Sequence, residues 1–93
     1  MQQIQTVDGP DPATETLVLL VSDQERDALD LLEARGLPTT RSSIFRWASE
    51  GMPTTRGGPR VKFPTIYWSN KRRTSVEAVT RFVEAVRAAE GEG

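Results

Sequence analysis

The sequence predicts a mainly α-helical fold carrying one small β-hairpin. Three observations point there. Two segments with helix patterning flank a short turn at Gly36-Leu37-Pro38-Thr39. A stretch rich in β-branched and aromatic residues, 60–68, runs into Ser69-Asn70 and then three cations. A capped segment with an apolar stripe at 3.6-residue spacing, Val76, Val79, Phe82, Val83 and Val86, closes the chain.

Ninety-three residues with 37% hydrophobic content support one modest core. Cysteine and histidine are both absent. Disulfides, zinc fingers, Cys nucleophiles and His acid–base chemistry are therefore excluded, and a reducing cytoplasm is compatible. No paired carboxylates in an apolar setting and no phosphate-cradling loop are visible, so the expectation is a non-enzyme without metal or cofactor. The longest apolar run, Leu17 to Val21, has five residues, too few to span a bilayer.

The net charge of −1 hides a sharp division. Residues 1–34 carry −7, residues 35–73 carry +8 and residues 74–93 carry −2. A chain split in this way is dipolar, and its basic segment is the expected contact surface for a polyanion.

Residues 1–14 combine two prolines, a glycine and two acids with few apolar groups, which predicts a disordered tail. An acidic arm screening the basic face is the functional alternative. The folded part is expected over 15–90, with a frayed end at 91–93. The run Thr16 to Val21 suits a buried strand or a first helical turn. The Ser22-Asp23-Gln24-Glu25 capping box decides for a short strand at 17–20, followed by a helix from Asp23 to about Arg35. Gly36 stops that helix and Pro38 prevents its resumption.

The next helix is the most sharply defined. Thr40 is placed to cap it, and Gly51 to close it in the left-handed conformation. Ile44, Trp47 and Ala48 share a core-facing side. Arg41, Ser42, Phe45, Arg46 and Ser49 face outward, with no acid before Glu50. Helix, short glycine-containing turn, helix is the helix-turn-helix arrangement, whose second helix enters the major groove of DNA.

Residues 52–59 form a loop. The strand-like stretch Arg60 to Trp68 needs a bulge near Pro64 to bring Val61, Phe63, Ile66 and Trp68 to one side. A two-residue turn at Ser69-Asn70 would set Trp68 against Lys71, Tyr67 against Arg72 and Ile66 against Arg73. These cations either snorkel over the aromatic rings or form a wing that touches phosphate. Thr74-Ser75-Val76-Glu77 reads as a second capping box, opening a helix to about Ala89. Its stripe is core, or in a sharper reading a dimer seam.

Thr40-Arg41-Ser42-Ser43-Ile44-Phe45-Arg46-Trp47 with Glu50-Gly51 is similar to the Arg-Trp helix of excisionase-like and MerR-type winged helix-turn-helix proteins. The hairpin and Thr74 to Val79 resemble that family's wing and last helix. Residues 14–32 resemble its leading strand and first helix. The chain is especially close to short uncharacterised bacterial proteins of this layout. The resemblance implies a DNA-binding protein of a mobile element, foremost an excisionase bending attachment-site DNA, or a repressor or activator of the same fold. It implies Arg41, Ser42, Phe45 and Arg46 as groove-facing residues, Lys71 and Arg72 as the wing tip, and Trp47 as core. Double-stranded DNA, a recombinase and further copies on DNA are the implied partners. The first helix is longer and more acidic than in that family, and the 52–59 loop is longer. The last helix lacks the coiled-coil extension of the sensing regulators.

The expected DNA-contacting set is therefore Thr40, Arg41, Ser42, Ser43, Phe45, Arg46, Arg56, Arg60, Lys62, Lys71, Arg72 and Arg73. A protein-interaction adaptor, using the acids of 23–34 and Phe45, is the alternative of another class.

Overall fold

The structure, a computed structural model, describes residues 4–54 and 58–91. In chain order these form β1 (Ile4–Gln5), β2 (Leu17–Leu19), α1 (Ala28–Ala34), α2 (Arg41–Ser49), β3 (Arg60–Val61), β4 (Ile66–Trp68), β5 (Lys71–Ser75) and α3 (Val76–Gly91). The architecture is mixed α/β. Three helices enclose a core with an antiparallel sheet of order β2-β5-β4, and β1 pairs in parallel with β3.

Helix α1 starts five residues later than the expected Asp23. Ser22 Oγ does accept from the backbone N–H of Gln24 and Glu25, so the turn it predicts is made. No helix grows from it, because residues 23–26 are exposed and have no apolar face to bury. The helix begins where Ala28, Leu31 and Leu32 enter the core. Its cap is Asp27, whose Oδ1 accepts from Asp30 N while Asp30 Oδ2 accepts from Asp27 N. Asp27 Oδ2 also accepts from Ser22 N at 2.7 Å and closes the preceding loop. At the other end, Leu37 N donates to Leu32 O and Gly36 N to Glu33 O, with Gly36 at φ +85. This is a Schellman closure.

Helix α2 follows expectation. Thr40 Oγ1 accepts from Ser43 N, and Gly51 ends the helix at φ +92. Ile44 and Ala48 are buried, and Trp47 stacks on Phe82 of α3 at 5.9 Å between ring centroids. Phe63 meets the same Phe82 edge-on at 4.9 Å. The α3 stripe is core: Val79, Phe82, Val83 and Val86 are at most 2% exposed.

The expected strand 60–68 is divided. Its first part pairs with β1 and bridges to Met52, and its second pairs with β5. The intervening Pro64 is buried and offers no N–H to a ladder. Val61 and Phe63 are core, but Trp68 is 49% exposed, so the four apolar side chains do not share one side. The hairpin has the expected register, with Trp68, Tyr67 and Ile66 opposite Lys71, Arg72 and Arg73. Ser69 and Asn70 both take positive φ, as a type I′ turn requires.

Residues 4–14 differ from the disordered tail expected for 1–14. Beyond β1, Lys62 N donates to Gln5 O, Val7 packs on the core, and Pro10 is buried. Arg81 of α3 donates to the carbonyls of Asp8 and Gly9 and forms a 2.8 Å ion pair with Glu15. The α3 start also differs by one residue. Ser75, not Thr74, caps it, its Oγ accepting from Ala78 N. Glu77 accepts from Thr16 N instead of turning back to Thr74.

Candidate nucleic-acid interface

The buried pair Ile44 and Ala48 fixes the rotation of α2. With those two inside, Arg41, Ser42, Phe45, Arg46 and Ser49 are exposed. Phe45 keeps 39% of its surface, high for a phenylalanine. Thr40 and Ser43 are occupied with the cap: Ser43 N donates to Thr40 Oγ1, which donates in turn to Ser43 Oγ at 3.1 Å. They order the helix start beneath Arg41 and Ser42.

The remaining cations divide by what already holds them. Arg60 Nη1 donates to Gly51 O at 3.1 Å, and its stem packs against Gly51. Arg60 thus fastens the end of α2 to β3. Arg73 Nε donates to Trp68 O across the hairpin. Lys62 and Lys71 are exposed. Arg72 is half-buried, its guanidinium 5.3 Å from the Tyr67 ring centroid, within cation–π range. Arg56 lies outside the described residues.

Register decides which way each hairpin residue faces, since neighbours on a strand alternate. Val18 packs against the core and pairs with Thr74, so their face of the sheet meets the core. Arg72 and its partner Tyr67 lie on that same face. Ile66, Trp68, Lys71 and Arg73 lie on the other, with Leu17 and Leu19. Arg72 also lines a cleft of about 250 Å³ with Lys62, Phe63, Thr65 and, from α2, Ala48. The inner face of the hairpin therefore overhangs the side where α2 sits.

Sequence reasoning missed the exposed aromatics. Tyr67 is 71% exposed and Trp68 49%. The signal was present in the register, which pairs both with cations close to the hairpin tip. The Glu15 carboxyl is held down to about pKa 2, first by its hydrogen bond from Arg81 and then by one from Ser75. That pair secures the N-terminal segment. Among the described residues no group of three or more acids could hold a metal ion, and no helix is long and apolar enough to cross a membrane.

The arrangement defines a small mixed α/β protein that presents a short cationic helix beside a cationic, aromatic hairpin. Residues 27–87 match the family described as "Protein of unknown function (DUF1580)", and the chain belongs to that family. The match runs from the α1 cap through most of α3 and leaves β1 and β2 outside. No curated protein and no solved structure matches the chain.

Proposed function

We propose that this chain is a winged helix-turn-helix DNA-binding protein of a mobile element, acting as an excisionase that binds and bends attachment-site DNA. Helix α2 enters the major groove and the β4–β5 hairpin is the wing. The observation that carries this reading is the α2 face. Two arginines, two serines and an exposed phenylalanine stand on it without an acid, held outward by the buried Ile44 and Ala48. Arginine suits guanine edges or phosphate, and Phe45 suits apolar contact with a thymine methyl. The helix, turn and helix over 28–49, followed by a hairpin in an antiparallel sheet, support the same reading.

The test is selection of bound sequences from a random duplex pool, followed by affinity measurements at several salt concentrations. Arg41, Arg46, Lys62, Lys71 and Arg72 would neutralise about five phosphates, so log K should fall against log salt with a slope of about −4.5. Arg46→Ala should cost about 1–3 kcal/mol if it reads a base. Salt-independent binding, or no binding at low salt beside a stable protein complex, would replace this reading with that of a protein-interaction adaptor. Stimulation of excision in a reconstituted reaction separates an excisionase from a repressor or activator, which would occupy an operator without a recombinase.

A further inference from the structure

We infer that Tyr67 is an aromatic wedge that the hairpin presses between base pairs of the bound duplex. The inference rests on the DNA-binding reading and adds the contact that would deform the DNA.

Two large aromatic side chains stand exposed on β4, and the register assigns them to opposite faces. Tyr67 shares the inner face with Arg72, which reaches the cleft bordered by Ala48 of α2. Ala48 is itself buried, but on the helix surface it neighbours the exposed Phe45 three residues earlier. A duplex lying against the exposed side of α2 therefore passes on the side of Tyr67. Trp68 looks the other way, above Ile66, Leu17 and Leu19, so its ring is turned from that duplex. The long flexible stem of Lys71 beside it still reaches a phosphate round the hairpin tip.

Among the described residues, Tyr67 is the most exposed of four large hydrophobic side chains that reach solvent. An isolated tyrosine of that exposure would sample several rotamers. Here the Arg72 guanidinium stands over the ring at 5.3 Å, which braces it and sets a positive charge behind it. The type I′ turn, only Ser69 and Asn70 long, keeps the tip narrow with small polar side chains. A braced ring with a cation behind it, on a narrow projecting hairpin, is suited to partial unstacking of one base step while the cation meets the adjacent phosphate. Apolar side chains acting in this way kink DNA, most cheaply at pyrimidine–purine steps.

The test uses the full chain and the duplex chosen by selection. It carries 2-aminopurine at each pyrimidine–purine step in turn and a dye pair at its ends for bending. For the wild type, 2-aminopurine emission should rise at one step and the ends should approach. Tyr67→Thr, which keeps strand propensity at an exposed position, should abolish both signals and weaken binding about tenfold, within the range of a lost base–aromatic stack. Tyr67→Phe should restore both, because the ring and not the hydroxyl is the wedge. Trp68→Thr should leave both unchanged. Full bending and 2-aminopurine signal in Tyr67→Thr, or their loss in Trp68→Thr, overturns the wedge while leaving DNA binding in place. Absence of salt-dependent binding by the wild type overturns the DNA reading and the wedge together.

Discussion

Two single residues show how much one position can depend on distant parts of the chain. Glu15 takes hydrogen bonds from Arg81 and Ser75, and its folded pKa of about 2 lies below the ordinary 4.5. A depressed carboxylate contributes stability above its unfolded value, and that contribution is lost as pH falls through the folded value. Urea midpoints should therefore separate wild type from Glu15→Gln at pH 6, and the difference should shrink between about pH 4.5 and 2. A constant difference across that window would show that the pair does not titrate as described. Gly51 offers a second case. Its φ of +92 disfavours any side chain, and an added Cβ would stand 2.9 Å from Arg60 Cβ. Gly36 shares the positive φ, but its nearest neighbour is a flexible Arg87 Nη2 at 3.6 Å. Gly51→Ala should thus destabilise by about 1–3 kcal/mol and by more than Gly36→Ala, read from urea unfolding.

At the scale of elements, helix starts were legible only where a single cap signal stood alone. Thr40 has one helix to cap, and α2 begins after it as expected. In the first helix, Ser22–Glu25 and Asp27–Asp30 offer two caps with the same spacing. Burial selects the second, since Ala28, Leu31 and Leu32 come after it. Asp27→Ala should therefore cost about 2 kcal/mol, because Asp27 is 4% exposed and satisfies the N–H groups of both Ser22 and Asp30. Ser22→Ala, at an open turn, should cost about 0.5 kcal/mol. The reverse order in chemical denaturation would place the helix start at Asp23. The hairpin register was readable because a two-residue turn fixes it locally. The divided strand was not, since its two halves answer to different partners, β1 and β5.

Over the whole molecule, the N-terminal segment is the part that sequence composition misjudged. Two prolines and few apolar residues argue for disorder when the segment is considered by itself. Arg81 supplies what the segment lacks, by binding the carbonyls of Asp8 and Gly9 from 73 and 72 residues away. Removing residues 1–12 should lower stability by about 1–3 kcal/mol, since Arg81 and Lys62 N lose their acceptors. An unchanged urea midpoint would mean the segment contributes nothing to the fold. The charge division has a similar history. Of the nine bases in residues 35–73, the structure commits Arg35, Arg60 and Arg73 to backbone carbonyls. The contact surface proposed for DNA narrows to α2, Lys62, Lys71 and Arg72.

The sequence by itself determined α2 and the hairpin, down to the cap, the buried pair and the cross-strand partners. Every determinant there lies within a few residues of its effect: a hydroxyl three positions before the N–H it accepts, apolar side chains at i and i+4, a turn of two. Only the tertiary structure decided where α1 and α3 begin, which cations are already engaged, and that Tyr67 and not Trp68 faces the side of α2. Those outcomes depend on partners such as Thr16 with Glu77, 61 positions apart, and Arg81 with Glu15, 66 apart. Such pairs leave no periodic trace in a chain, because the contact exists only after the backbone has brought them together.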